Sequence, residues 1–393
     1  MLTDRVNSLS ESITIAIATL AQELKTSGKD IISFSAGEPD FDTPQVIKDA
    51  AIEAINDGFT KYTPVDGIPA LKKAIADKLF KENGLIYAPN QIITNNGAKH
   101  SLFNLFAAVI QKGDEVIIPA PYWVTYPELV LYHGGVVVEI HTDDNNSFKM
   151  TPEQLKNAIT PKTKMIVLTS PSNPTGSVYS KDELMAIGKV LEGTDILVAS
   201  DEMYEKLIYD GEFTSSASVS QDMFKRTITI NGLSKSVAMT GWRFGYMAAY
   251  NSDIIQATKK LQSQSTSNIN SITQKAAIVA LNGSADADIE MMRKAFKERR
   301  DEAVKLINAI DGLSVVKPNG AFYLFINIKK ISNDSMQFCK DLLERKGVAL
   351  VPGVGFGSEG YVRFSFATDI ESIRKGIKRV EEFVKELKKP TAA

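Results

Sequence analysis

Between Gln91 and Ala249 the chain repeats one pattern, a short apolar run followed by a longer stretch with helical spacing of apolar positions. The runs are Gln91 to Thr94, Glu115 to Ile118, Val136 to Ile140, Met165 to Leu168, Ile196 to Ala199 and Thr227 to Ile230. Strands covered on both faces lose the alternation of a half-exposed strand and read as continuous apolar runs. Their alternation with helices predicts an α/β fold, a mostly parallel sheet with helices on both faces. Ligands of such sheets bind beyond the carboxyl ends of the strands, so the turns after these runs are where chemistry is expected.

After about Ala285 the pattern changes. A long amphipathic helix, Asp286 to Ile310, is followed by strands at Ala321 to Ile328 and Tyr361 to Ala367 and by closing helices, which predicts a smaller α+β domain. Ahead of the sheet, a helix-like segment, Ile15 to Lys25, leads into the turn Ser35-Ala36-Gly37-Glu38-Pro39-Asp40. It precedes the alternation without belonging to it and is expected to pack with the C-terminal part. The expected organisation is an N-terminal segment 1–44, a large domain 45–285 and a small domain 286–393.

Composition narrows the function classes. With 45 basic and 47 acidic residues the net charge is near zero, so neither nucleic acid nor an anionic membrane is an expected partner. Cys339 is the only cysteine and sits on an apparently amphipathic helix, which predicts a buried, inert thiol and no disulfide framework. His100, His133 and His141 show no ligand spacing, so no metal is expected. The start Met1-Leu2-Thr3-Asp4-Arg5 does not read as a signal peptide, and no stretch is apolar enough to span a bilayer. A soluble cytoplasmic protein is the expectation.

The run from Arg226 to Leu233 reads as a buried strand, and Lys235 comes just after it. Lysine loses basicity readily on burial, and a neutral amine can hold an aldehyde as a Schiff base. Eight residues on, Arg243 offers a planar fork suited to a phosphate or carboxylate. Together they suggest pyridoxal 5'-phosphate, although an exposed lysine and a surface arginine would read the same in isolation.

Other strand ends carry fitting groups. Asn95-Asn96-Gly97-Ala98-Lys99 opens a helix, His100 to Ile110, whose free N–H groups suit a phosphate or simply make an ordinary turn. Asp201, at the end of its strand, suits a protonated ring nitrogen or a helix cap. Tyr204 suits a ring oxygen or packing. Asn173, in Asn173-Pro174-Thr175-Gly176, offers an amide within turn chemistry. Trp123 suits the face of a flat ring or an ordinary core position.

The elements Ser35-Ala36-Gly37-Glu38-Pro39, Asn173 to Gly176, Asp201-Glu202-Met203-Tyr204, Ser234-Lys235 through Arg243, and Val362-Arg363-Phe364-Ser365 resemble, in order and spacing, the class I/II aminotransferases of PLP fold type I, nearest their bacterial aspartate branch. The likeness covers nearly the whole chain. It implies that Lys235 forms the internal aldimine and shuttles the proton at the substrate Cα, with Asp201 on the pyridine nitrogen and Tyr204 and Asn173 on the 3'-oxygen. It implies that Arg243, Ser234, Gly97 and Ala98 hold the phosphate and that Trp123 stacks on the ring. Tyr62 matches a tyrosine that reaches the neighbouring subunit's phosphate, which implies a homodimer with shared sites. Arg363 matches the clamp of the substrate α-carboxylate, with Gly37, Trp123 and Asn173 alongside. Lys99 and Thr14 match the groups that meet a distal carboxylate.

The implied reaction moves the amino group of aspartate to 2-oxoglutarate by a ping-pong mechanism. Aromatic, alanine and prephenate aminotransferases on the same fold are the alternatives. Ser10 and Glu11 align where prephenate-accepting relatives tend to carry a lysine, which counts against prephenate. A nucleotide-binding module or dehydrogenase is suggested only by Gly353-Val354-Gly355-Phe356-Gly357, and Tyr361 to Phe366, next along the chain, reads as a strand where the dinucleotide fingerprint needs a helix. A PLP-fold transcription regulator would need an added DNA-binding domain, for which no residues are left over.

Overall fold

The apolar runs become strands, and one further strand joins them. In chain order the strands are β1 (Ile32–Ser33), β2 (Ile92–Asn95), β3 (Glu115–Ala120), β4 (Val136–His141), β5 (Thr163–Thr169), β6 (Leu197–Asp201), β7 (Thr227–Gly232), β8 (Gly245–Ala249), β9 (Ser314–Val315), β10 (Tyr323–Asn327), β11 (Val348–Ala349), β12 (Val351–Pro352) and β13 (Tyr361–Ser365). The computed structural model describes residues 2–389, so residue 1 and residues 390–393, which close the expected 1–44 and 286–393 divisions, lie outside the described residues. Its main sheet has seven strands in the order β2-β8-β7-β6-β5-β3-β4. The neighbours from β7 to β4 pair parallel, and β8 pairs antiparallel with both β2 and β7.

The apolar pattern does not reveal β8, because Gly245-Tyr246-Met247-Ala248-Ala249 is largely small residues and no helix separates it from β7. Without a crossover helix the chain returns antiparallel. The strand expected from Arg226 also starts one residue later, since Arg226 closes the helix Gln221–Arg226.

Register assigns the side chains of this sheet to two faces. Ile93, Met247, Ile230, Asp201 and Thr169 share one, while Thr94, Tyr246, Asn231, Thr229 and Ser200 share the other. The first face packs against the helix Ala98–Val109 through Leu102, Leu105 and Phe106. The second packs against the helices Pro69–Asn83 and Ser271–Leu281, with Leu71, Ile75, Leu79, Ala276 and Ala277 around Tyr246 and Ala248. Both faces are covered, as the unbroken apolar runs require.

A second, antiparallel sheet, β12-β13-β10-β9, carries Arg363 on β13. The long helix Asp286–Asn308 buries Ile289, Met292, Phe296, Arg300, Ala303 and Ile307 at helical spacing. Strand β1 pairs with β11, and the helix Ile13–Thr26 packs Ala21 with Leu343 and Ala349. The glycine-rich run Gly353–Phe356 is a single 3-10 turn between β12 and β13 and opens no helix, so the dinucleotide motif has no counterpart here. Cys339 is buried on the helix Ser335–Lys346, and burial pushes its thiol far above the ordinary value.

Gly245 marks the closest approach between the sheet and the helix Ala98–Val109, because a Cβ there would collide with the backbone of Gly97 and Ala98. Gly245→Ala should therefore destabilise the protein by about 1–3 kcal/mol, read as a lower thermal unfolding midpoint. An unchanged midpoint would show that the contact can relax.

Candidate active site

The carboxyl ends of β5 and β6 meet at a cavity of about 730 Å³. Thr169 and Asp201 are register partners at those ends and point to the same side. Asp201 is 5% exposed and bound on both oxygens, by the Tyr126 hydroxyl at 2.7 Å and the Met203 N–H at 3.2 Å. Burial raises its pKa, and the Tyr126 and Met203 donors and the nearby Lys235 oppose that rise. Tyr126 is itself held well above the usual phenol value by burial and by Asp201, so it stays a donor; its oxygen also lies 2.9 Å from Thr169 Oγ1.

Lys235 projects from the turn after β7, and its Nζ donates to the Gly37 carbonyl at 2.6 Å. Burial lowers its pKa to about 8; Glu38 and Asp201 oppose the shift, while Arg243 and Arg363 reinforce it. An amine of this basicity has a neutral fraction of roughly one-tenth to one-fifth near physiological pH, over a hundredfold above that of an ordinary lysine. Ser234 is buried beside it, and both line the cavity.

Arg243 holds a left-handed backbone, φ +56°, which is uncommon for a side chain of this bulk and marks a position fixed by its surroundings. Its guanidinium donates to the Thr240 carbonyl at 2.7 Å and lies against Gly97, where φ is +84° and a Cβ would overlap it. Glycine is required there twice over, by backbone and by space. The N–H groups of His100 and Ser101 bond to the Gly97 carbonyl, whereas those of Ala98 and Lys99 head the helix with no acceptor earlier in it. An arginine and a helix start thus meet in one anion-binding corner.

Arg363 lies on the opposite wall, 2% exposed. It donates to Asn173 Oδ1 at 3.0 Å and to the Ser35 carbonyl at 2.8 Å, while its Nε has no partner. The Tyr323 ring centroid is 4.6 Å from the guanidinium carbon. Burial lowers the arginine's pKa, with Tyr323 and Tyr204 opposing, yet a guanidinium remains charged in any protein setting. A buried cation with an unused donor suits an anion. Tyr204 and Tyr323 share a hydroxyl hydrogen bond of 2.8 Å.

The third wall is the helix Ile13–Thr26, which contributes Thr14, Ile15, Ala18, Thr19, Gln22 and Glu23. Facing it, Lys99 Nζ lies 4.9 Å from the Trp123 ring centroid, and burial followed by Arg243 lowers its pKa. Trp123 meets Tyr126 edge to face, centroids 5.4 Å apart.

One cavity therefore gathers Thr14, Gly37, Ala98, Lys99, Trp123, Asn173, Asp201, Tyr204, Ser234, Lys235, Arg243 and Arg363, with Gly97 directly behind Arg243. Tyr62 is not brought there: its side chain is 90% exposed on the surface of this chain. Sequence reasoning did not single out Tyr126, Thr169, Thr240 or Tyr323, or the main-chain role of Ser35. Thr169 was within reach, since it directly follows the Met165 to Leu168 run. Among the described residues no cluster of three His, Cys, Asp or Glu side chains could hold a metal ion.

An amine of lowered basicity, a buried carboxylate and two arginines in one cavity suit covalent amine chemistry on anionic molecules. The comparisons with known proteins agree with that geometry. Residues 29–380 match the family model described as aminotransferase class I and II. The chain is 50% identical over 389 residues to the aspartate aminotransferase of Bacillus subtilis strain 168, covering 98% of each. It is 47% identical over 392 residues to the aspartate/prephenate aminotransferase of Nitrosomonas europaea, covering 96% of this chain and 98% of the relative. Among solved structures, the aspartate aminotransferase of Thermus thermophilus with maleate superposes with a TM-score of 0.94 at 43% identity, over 97% of this chain and 99% of that one. With the family model spanning most of its length and relatives this similar from end to end, the chain belongs to the class I and II aminotransferases.

Proposed function

We propose that the chain is a pyridoxal 5'-phosphate-dependent transaminase that moves the amino group of aspartate to 2-oxoglutarate, releasing oxaloacetate and glutamate by a ping-pong exchange. The reading is carried by one observation: Lys235, Asp201 and Arg363 converge in a single cavity, the lysine with its basicity lowered and the arginine with a donor unspent. The aspartate aminotransferases that the chain resembles over nearly their full length support the choice of amino donor.

The residues present fit the cofactor. The corner made by Arg243, Ser234, Gly97 and Ala98 suits a phosphate, and the missing Cβ at Gly97 is what lets Arg243 close it. Asp201 suits a protonated ring nitrogen, Tyr204 and the Nδ2 of Asn173 suit the ring 3'-oxygen, and Trp123 suits the ring face. When bound, the cofactor supplies an aldehyde that receives amino groups and a protonated ring that draws electron density from the substrate Cα.

The protein's part is set by its own groups. Lys235 provides the amine that holds the aldehyde and, once freed, takes the proton from the substrate Cα as a positioned base. Asp201, kept in register by Tyr126 and the Met203 N–H, preserves the charge on the ring nitrogen. Arg363, with Gly37 and Asn173, grips the α-carboxylate and fixes which Cα bond is presented to Lys235. Lys99 and Thr14 meet the distal carboxylate of aspartate or glutamate. The reading extends to a homodimer in the cytoplasm, with domains 45–285 and 286–393 and the segment 1–44, and with Tyr62 reaching the phosphate held by the second copy.

Pyridoxal 5'-phosphate added to the cofactor-free protein should give a visible absorption band, and borohydride should fix the label on Lys235, read by peptide mass. Because burial brings Lys235 to about 8, capture should quicken as pH rises through that value; a colourless protein, or label on another lysine, refutes the reading. Lys99→Ala should lower kcat/KM for aspartate by about 100-fold, the scale of removing one partner of a buried ion pair, while an uncharged amino acid loses little. Equal losses would remove Lys99 from substrate recognition, and high activity with prephenate in the unmodified enzyme would favour the broader specificity named for the Nitrosomonas relative. Inactive Tyr62→Phe and Lys235→Ala chains, mixed and refolded together, should recover activity through hybrid dimers; no recovery means that each chain works alone.

A further inference from the structure

On the face of the sheet turned away from the cavity, the core is unusually polar. Register places Thr94, Tyr246, Thr229 and Ser200 there, and Glu202, two residues past Ser200, continues the row. Glu202 Oε1 accepts from Ser200 Oγ at 2.9 Å, Ser215 Oγ at 2.8 Å and the Ser216 N–H at 3.1 Å. Burial and then Glu205 push Glu202 up to about 7.

Beside it lies a buried ion pair. Lys78, from the helix Pro69–Asn83, binds Glu205, their side chains 4% and 7% exposed. Asn83 supports both, accepting from Lys78 Nζ at 2.8 Å and donating to Glu205 Oε2 at 3.1 Å. Asn231 Nδ2 donates to Glu205 Oε1 at 2.8 Å, and Asn231 Oδ1 accepts the Gly232 N–H at 2.7 Å. Glu82 lies 3.4 Å from Lys78 and shares itself with Lys206 at 2.6 Å.

Such a pair is poorly explained as a source of stability, because desolvating two charges costs several kcal/mol per ion and apolar replacements are often neutral or better. Its connections explain it as a source of position. Glu205 comes directly after Tyr204 and stands four residues after Asp201, while Asn231 stands four residues before Lys235. Through Asn231 the pair is thus tied to the end of β7, so that one cluster holds the two places from which Asp201 and Lys235 enter the cavity.

We propose that Lys78, Glu205 and Asn231 are positioning residues, a clamp behind the sheet that fixes Asp201 and Lys235 relative to each other. The chemistry at Lys235 rests on the transaminase reading above; the clamp as a physical device does not. An apolar substitute of equal volume keeps the packing and loses the tie between the strand ends. Loosening them admits water around Lys235 and returns its amine toward ordinary basicity.

The test uses the full-length chain with Lys78→Met and Glu205→Leu together. Trinitrobenzenesulfonate labelling of Lys235 across pH in the cofactor-free protein, quantified by peptide mass, should show a midpoint raised by about one unit, while the thermal midpoint stays near that of the unmodified chain. Pyridoxal 5'-phosphate should bind several-fold more weakly, and Lys78→Arg, which keeps the pair, should leave both quantities in place. Should the double variant fail to fold, Asn231→Ala, which cuts the tie to β7 together with the local bond to the Gly232 N–H, is measured instead with the same expectation. An unmoved labelling midpoint in a folded variant overturns the clamp. An unmodified chain that binds no pyridoxal 5'-phosphate overturns the transaminase reading instead, and the labelling comparison still decides the clamp.

Discussion

Two backbone carbonyls on one short strap, those of Ser35 and Gly37, receive the donors around which the site is built. Ser35 takes the Arg363 guanidinium and Gly37 takes the Lys235 amine. The strap is anchored at both ends. Phe34 bonds through its N–H to the Ala349 carbonyl and through its own carbonyl to the Ser365 N–H. Further on, Thr43 Oγ1 donates to the Ala238 carbonyl and accepts from Trp242 Nε1 at 3.0 Å. The antiparallel sheet that carries Arg363 and the main-sheet turn that carries Lys235 are therefore registered against the same few peptide units. Because the acceptors are main-chain atoms, substitution of Ser35 would leave its contact in place.

The main sheet solves two problems with its two faces. Toward the cavity, parallel register lines up Thr169 and Asp201, and burial adjusts the acidity of the groups around them: Asp201 up, Lys235 down, Tyr126 well up. These shifts share one leading cause, loss of water, and differ only in which protonation state carries charge. Away from the cavity, the same strands bury a polar row in which Ser200, Asn231 and one oxygen of Glu202 find partners, while the hydroxyls of Thr94, Thr229 and Tyr246 and the second oxygen of Glu202 have none. A core that keeps such groups is held to a defined geometry more than to a minimum of free energy.

Much of this was legible in the sequence, for identifiable reasons. Strands covered on both faces are mostly apolar, and with the valine-rich edge strand β4 six of the seven main-sheet strands stand out; β8 does not, because glycine and alanine carry little apolar signal and no helix announces it. Asp201 ends β6, and Lys235 and Asn173 follow β7 and β5 within a few residues, where the fold places ligands. Tyr126 and Tyr323 look like any core aromatic, and only contact with Asp201 and with Arg363 and Tyr204 distinguishes them. Ser35 acts through its carbonyl, which leaves no trace in residue type. Tyr62 faces outward, away from the cavity.

The helix Ile13–Thr26 walls the cavity with Thr14, Ile15, Thr19 and Gln22, yet Ala21 is its only buried residue, and Ile15 and Leu20 are 63% and 41% exposed. Its side chains therefore border the cavity without contributing much to the core. In evolutionary terms this separates two kinds of change that most active sites bind together. Replacements along this helix change the lining of the cavity at little cost in folding, whereas replacements at Asp201, Lys235 or Arg363 disturb the buried charge balance itself. A lineage carrying this fold can reshape the cavity from the rim inward while its buried charged groups stay as they are.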